Sequence, residues 1–344
     1  MKTISINFAC FILAILLPSC ISGDGEYFTE SGSVFHTSFN IKYQAHESLS
    51  DKITQEFDSF NLSLNPFNPK SIIAKVNNNQ DVEVDEWFSD VFKKSMEISE
   101  KTNGAFDITC APLVNLWGFG FSRMDSVTPE MVDSIKAFVG YKKVHLDGKK
   151  IVKADKRVML NCSSIAKGYA CDVIARLLEK EGVKNYMVEI GGEVAMNGVN
   201  QNGEFWKIGI NKPGNGINEQ SNGIEEIVQI GGKSAVATSG DYRNFYIKDG
   251  KKYAHTINPA TGYPANQNIL SATIVADNCM TADAYATSFM VLGLEKAKIL
   301  AESITEIEYF IIYSDENGKH KTSYSKGMLR YLPNRKSLAI LENP

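Results

Sequence analysis

The chain has 344 residues, 43% of them hydrophobic, and sets 36 Lys and Arg against 40 Asp and Glu for a formal net charge of −4. That mixed balance, with no block of Lys and Arg, argues against nucleic-acid binding, and the length allows one large domain or two intimate ones. Beyond the N-terminus no apolar run approaches the roughly 20 residues that span a bilayer.

Lys2 gives a positive start, and Phe8 to Leu17 form a short apolar run that ends in Leu17-Pro18-Ser19-Cys20. A run this short, closed by a small residue and Cys, reads as a signal peptide over 1–19 that is cut before Cys20, with a lipid on Cys20. Residues 20–33 are polar and rich in Gly and Ser and are expected to be a tether, leaving 34–344 as the folded domain. The later cysteines, Cys110, Cys162, Cys171 and Cys279, fit no CxxC spacing and read as buried free thiols.

Val34 to Tyr43 alternates as a strand does. Helices are expected from Ser48 to about Phe60 and from Asp85 to Lys101, the latter with Trp87, Phe88, Val91, Phe92 and Met96 at helical spacing. Val144 to Met159 reads as two short strands around Asp147-Gly148. The clearest helix follows Cys162, with Ser163 and Ser164 as caps and a continuous apolar face through Leu178, and Gly182 ends it. Tyr186–Ile190 reads as a buried strand running into Gly191-Gly192. Further strands are expected at Phe205–Asn211, Ile227–Ile230, Ala235–Thr238, Asn244–Ile247 and Leu270–Val275, and a last helix from Met280 to Leu292 or beyond. Runs of strands with few helices point to an α+β fold.

Four stretches could carry chemistry. They are Asn103-Gly-Ala-Phe-Asp107 with Pro112-Leu-Val-Asn-Leu-Trp-Gly-Phe-Gly120; Asn161-Cys-Ser-Ser-Ile-Ala-Lys-Gly-Tyr169; Ala237-Thr-Ser-Gly-Asp-Tyr-Arg-Asn244 leading to His255-Thr-Ile-Asn-Pro-Ala-Thr-Gly-Tyr-Pro264; and Met280-Thr-Ala-Asp-Ala-Tyr-Ala-Thr287. The second puts two serines and Lys167 on the first turn of a helix, where N–H groups and the helix dipole suit a pyrophosphate; taken alone it is more simply a helix cap with a solvated lysine. In the fourth, Asp283 and Thr287 stack on one helical face and offer hard oxygen ligands to Mg²⁺; alone, they read as an Asp–Thr hydrogen bond inside a packed helix. His255, between a strand and a Pro/Gly turn, can face a cleft, although a lone His is more often structural. Arg243 could pair with phosphate or with Asp241. Together these signals point to a phosphate-bearing ligand with a metal.

The order of these motifs, with Val188-Glu-Ile-Gly-Gly-Glu193 between them, resembles the ApbE family of FAD:protein FMN transferases over about Phe35 to Gly293. The resemblance implies a T-fold-like α+β architecture and a cleft that binds FAD, cleaves its pyrophosphate and moves FMN onto a Thr or Ser hydroxyl of an acceptor protein, releasing AMP. It implies acceptors similar to subunits of NADH:quinone reductases or Rnf-type complexes, and an exported lipoprotein of the inner membrane facing the periplasm. FAD contacts are expected from Phe35, Phe67, Ala105, Phe106, Asp107, Lys167 and Ile257, with Asn161 standing where many members have Asp. Magnesium is expected on Asp283, Thr287 and the carbonyls of Ser164 and Ala286. His255 is the expected general base, with Asp241 as the runner-up. Two other activities stay open: a FAD pyrophosphatase, in which water replaces the acceptor, and a flavin-binding lipoprotein without turnover.

Overall fold

The computed structural model describes residues 25–120, 126–214, 223–240, 245–248 and 251–333. In chain order, strands β1 (Glu26–Val34) and β2 (Thr37–Ala45) are followed by helices α1 (Ser50–Ser63), α2 (Ile72–Asn77), α3 (Glu86–Lys101), α4 (Ala111–Leu116) and α5 (Pro129–Lys136). A small hairpin of β3 (Val144–Asp147) and β4 (Lys150–Lys153) leads into α6 (Ala166–Lys180). Next come β5 (Tyr186–Ile190), β6 (Glu193–Asn197), β7 (Trp206–Asn211), β8 (Ile224–Ile230), β9 (Ser234–Gly240), β10 (Phe245–Lys248), β11 (Lys251–Ala254) and β12 (Ile269–Ala276). Helices α7 (Cys279–Leu292) and α8 (Leu294–Ser303) precede β13 (Ile307–Ser314) and β14 (His320–Tyr324).

Eight strands form one sheet in the order β1-β2-β5-β6-β9-β12-β13-β14, with every neighbouring pair antiparallel. The expected α+β class is what the chain adopts. Alternation along the central strands separates two cores. Ala235 and Ala237 of β9, Ala272, Ile274 and Ala276 of β12, and Tyr309 and Ile311 of β13 pack under the helices. Val236, Val275, Phe310 and Ile312 face the other way, onto Trp206, Ile210, Val228 and Ile230 of the β7–β8 hairpin. A smaller cluster of Leu113, Leu116, Trp117, Val132, Val139 and Ile257 ties α4 and α5 to the loop after β11.

Two expectations at the N-terminus need correction. The proposed tether is in large part strand: Glu26–Val34 pairs residue for residue with β2, Phe28 stacks on Tyr43 at 5.6 Å, and Tyr27 packs on the second core. As an edge strand it keeps polar, exposed residues along much of its length, and its composition therefore looked like a linker. The strand expected from Val34 starts only at Thr37, because Phe35 and His36 form a two-residue turn with φ of 52° and 62°, the left-handed geometry that matches strand twist. Residues 1–24, including Cys20, lie outside the described residues. Among the described residues no helix is long and apolar enough to cross a membrane. The four later cysteines are free; Cys162, Cys171 and Cys279 are buried as expected, and Cys110 only partly.

The element on which the site depends is α7, buried along nearly its whole length. Small residues make that burial sterically feasible: Ala282, Ala284 and Ala286 are all buried, in a helix packed on β9, β12 and α6. Its N-terminus is capped twice. Asn278 accepts from Thr281 N at 2.9 Å, and Asp172 of α6 accepts from Cys279 N and Met280 N, each at 2.8 Å. Burial pushes the Asp172 carboxyl up to about 6, against the pull of those two donors. Helix α6 starts differently from expectation: Ile165 is its N-cap, with no side-chain cap, so Ser163 and Ser164 do not serve that role.

Where α6 crosses α7, Gly168 touches the partner helix. A Cβ there would sit 2.3 Å from the Cys279 carbonyl oxygen and 2.8 Å from Asp283 Cβ. In an isolated helix Ala beats Gly by about 1 kcal/mol, but here the clash is with rigid backbone and should win. Gly168→Ala is expected to lower stability by about 1–3 kcal/mol, the usual cost of overpacking, read as a lower urea midpoint at unchanged m. A stability equal to or above that of the wild type would show that the crossing has slack.

Candidate active site

One cleft of about 560 Å³ opens where the ends of α6, α7, β6 and β9 meet the loops around Ala105, Asn161 and His255, a size in the range of small-molecule sites. Its lining brings together Phe67, Ala105, Phe106, Asp107, Asn161, Ser164, Lys167, His255, Ile257, Asp283 and Thr287. Phe35 and Ala286 are not in that lining. Phe35 instead packs its ring on Phe57 at 5.9 Å and Phe60 at 5.1 Å, and Ala286 belongs to the main core. Asp241 and Arg243 lie outside the described residues.

Asp283 sits at the floor, only 4% exposed. A buried carboxylate needs partners, and Asp283 Oδ2 accepts from Gly168 N at 3.0 Å and lies 3.8 Å from Lys167 Nζ. Burial raises its pKa, opposed by Lys167 and by the Gly168 N–H. In an uninterrupted helix the Gly168 N–H would go to the carbonyl four residues back. Among the described residues that carbonyl, on Ser164, receives no backbone donor. Asp283, Ser164 and Thr287, the last one turn along α7 from Asp283, all line this cleft. Among the described residues no group of three or more His, Cys, Asp or Glu side chains could hold a metal; any cation here would rest on mixed carboxylate, hydroxyl and carbonyl oxygens, the donor types of Mg²⁺.

Lys167 reaches from the first turn of α6 to Glu193, with Nζ 3.0 Å from Oε1. Burial works against the ammonium, but Asp283 and Glu193 outweigh it and hold its pKa above the ordinary lysine value. Glu193 was not among the residues nominated from sequence. It stands just after Gly191-Gly192, a two-residue turn with φ of 68° and 101°, and the pairing of Ile190 with Glu193 across that turn brings its carboxylate beneath Lys167. Its Val188-Glu-Ile-Gly-Gly-Glu193 motif is plain in the sequence, but nothing in the spacing says that the Glu turns inward. Thr37, Asn115, Thr238 and Ser239 line the cleft as well; the last three lie in the stretches singled out from sequence, whereas Thr37 does not.

The rest of the wall is set by local hydrogen bonding. Asn161 Oδ1 accepts from Ser163 N at 2.9 Å, an acceptor role that Asn and Asp share, so the departure from Asp keeps this turn. Trp117 Nε1 donates to Gly262 O at 2.8 Å and fastens the loop that carries His255. The His255 ring lies edge-on to Phe119 at 6.4 Å. Phe67, half exposed, meets His36 at 5.5 Å, and an aromatic face at the mouth suits stacking on a planar ligand. Ser71, four residues on, caps α2 by accepting from Ala74 N.

Asp107 lines the cleft, yet both its oxygens are engaged within the protein. Oδ1 accepts from Thr109 N at 2.7 Å and Thr109 Oγ1 at 2.6 Å, and Oδ2 from Tyr141 N at 2.8 Å. Its main work is to lock this loop. Asp107→Ala is therefore expected to cost about 2–3 kcal/mol of stability with no ligand present, because buried donors lose their acceptor. A ligand-free melting curve identical to wild type would reassign Asp107 to ligand contact alone.

The chain as a whole can be set beside known proteins. The model of the ApbE family matches residues 35–311. The FAD:protein FMN transferase of Vibrio cholerae is 34% identical over 330 residues, covering 93% of this chain and 97% of that protein. The Escherichia coli (strain K12) protein of the same name is 34% identical over 298 residues, 84% of this chain and 83% of its own. The solved flavin transferase ApbE from Vibrio cholerae superposes with a TM-score of 0.81 over 89% of this chain and 99% of that one, at 34% identity. The apo flavinyl transferase ApbE from Pseudomonas stutzeri gives 0.77 over 89% and 96%, at 29% identity.

Proposed function

The chain belongs to the ApbE family, and from that premise we propose that it is an FAD:protein FMN transferase, which cleaves FAD and leaves FMN on a Thr or Ser of an acceptor protein through a phosphoester bond. One observation carries the reading: eleven residues that the family resemblance nominates, from segments scattered between Phe67 and Thr287, line a single cleft. The donor set of Asp283, Thr287 and the Ser164 carbonyl fits Mg²⁺ held jointly with substrate phosphates. When bound, Mg²⁺ would neutralise diphosphate charge and act as a Lewis acid at phosphorus.

The chain's own groups supply the rest. The Lys167 ammonium can pair with diphosphate oxygens, and Phe67 can stack on the flavin or adenine face. His255 would accept the proton of the acceptor hydroxyl as its oxygen forms the new bond to the FMN phosphorus and the bond to the AMP phosphate breaks, so that AMP leaves. In such transfers positioning and electrostatics do most of the work. The acceptors are exported flavoproteins similar to NADH:quinone reductase or Rnf-type subunits, and a lipid on Cys20 holds the enzyme to the periplasmic face of the inner membrane.

Incubating the protein with FAD, Mg²⁺ and such an acceptor should release AMP and add the FMN mass to the acceptor. AMP and free FMN with an unlabelled acceptor would instead make it a pyrophosphatase, and FAD bound but never turned over would make it a carrier. Asp283→Ala should keep the fold and lose AMP release, and EDTA should do the same reversibly to the wild type. His255→Ala should slow transfer by about 10²–10⁴-fold, the usual worth of a positioned base, at little cost in FAD affinity. Transfer by Asp283→Ala in chelated buffer would remove the metal from the scheme. For the anchor, Cys20→Ser should release the protein from membranes with its activity intact, and unmodified Cys20 in membrane-extracted protein would refute the lipid.

A further inference from the structure

The Glu193 carboxylate is an oddity of the cleft: 5% exposed, with Oε1 paired to Lys167 at 3.0 Å and Oε2 buried without a hydrogen-bond partner. Burying a carboxylate this way is costly unless its single ion pair does something useful. The geometry of Lys167 indicates what that is. The ammonium stands between two carboxylates, 3.0 Å from Glu193 and 3.8 Å from Asp283. Its stem is also guided: a Cβ on Gly191 would lie 3.1 Å from Lys167 Cδ and 3.1 Å from Thr37 Oγ1, so the Gly-Gly turn leaves room for the lysine to lean toward Glu193. Asp283 Oδ2 takes its hydrogen bond from the Gly168 N–H instead.

We infer that Glu193 is a positioning residue: it holds the Lys167 ammonium away from Asp283 and so keeps that carboxylate available to a divalent cation. Without Glu193, Lys167 has one carboxylate left within reach, closes the gap to Asp283 and competes with the cation. The inference rests on the proposed use of Asp283 as a magnesium ligand, but it concerns how well the cation binds and not what is catalysed.

The test reads cation binding directly. The full-length protein, in saturating FAD, is titrated with Mg²⁺ and its melting temperature followed. Glu193→Gln keeps the shape and removes the charge; its half-maximal Mg²⁺ concentration should rise about tenfold, at the low end of what losing a group behind a metal ligand costs. In a Lys167→Met background the same substitution should change the midpoint by less than twofold, because the competing ammonium is gone. Glu193→Asp, which keeps the charge on a shorter arm, should fall between, and it carries the test if Glu193→Gln does not fold. An unshifted midpoint in Glu193→Gln, or an equal penalty with Lys167 already removed, would overturn the inference, as would a wild type that gains no stability from Mg²⁺. A wild type that binds Mg²⁺ with the expected shifts, yet never releases AMP from FAD, would leave Glu193's role standing and defeat the proposed transferase activity.

Discussion

Everything in the site hangs on one close contact, the crossing of α6 and α7 at Gly168. Because residue 168 lacks a Cβ, the backbone of α6 comes near enough for its N–H to reach Asp283 Oδ2 at 3.0 Å. That single hydrogen bond does three things: it partners a buried carboxylate, it satisfies an N–H that the first turn of α6 leaves without an intrahelical acceptor, and it sets Lys167, the preceding residue, near Asp283. The crossing is pinned from the other end by Asp172, whose carboxylate receives the first N–H groups of α7. Helix packing and site chemistry are here the same interaction seen from two sides.

The charge balance of the floor follows. One partly exposed ammonium faces two carboxylates that are almost fully withdrawn from water. Such a cluster retains unbalanced negative charge, which in low dielectric favours either a proton or a cation. Burial pushes both acids upward while Lys167 pulls them back, and Lys167 is held charged by the pair it serves. A diphosphate arriving with a divalent ion would bring both signs of charge to a place already divided between them.

Much of this was legible in the sequence, and what was not has identifiable causes. Helices α6 and α7 and strand β5 announced themselves through strong apolar patterns, and β5 matches its expected span residue for residue. Strand β1 escaped because an edge strand can be polar, and β6 because its burial on both faces leaves no alternation to see. Helix α7 ends at Leu292, the earliest end the sequence allowed, whereas α8, which follows directly after Gly293 at φ 75°, has no separate sequence expectation. Helical spacing puts Asp283 and Thr287 on one face, but by itself it reads as an internal hydrogen bond, and only the family resemblance names the site residues on α6 and α7. Glu193 could not be named, since only the pairing of β5 with β6 carries it beneath a lysine 26 positions earlier in the chain. The resemblance implies an FAD contact for Asp107, but its structural duty depends on Tyr141, a partner that no local motif reveals.

The turn between β1 and β2 has a consequence for how this fold could be altered. Phe35 and His36 both adopt a left-handed backbone, which costs an L-residue with a Cβ roughly 1–2 kcal/mol and which Asn or Gly would adopt far more readily. An engineer seeking thermal robustness would replace the pair first. Yet the two rings point a strained hairpin in two directions at once, Phe35 into the aromatic core at Phe57 and Phe60 and His36 onto Phe67 at the cleft mouth. The turn works as a mechanical linkage, and relaxing it would exchange the registration of the Phe67 ring with the core for a sturdier but looser entrance.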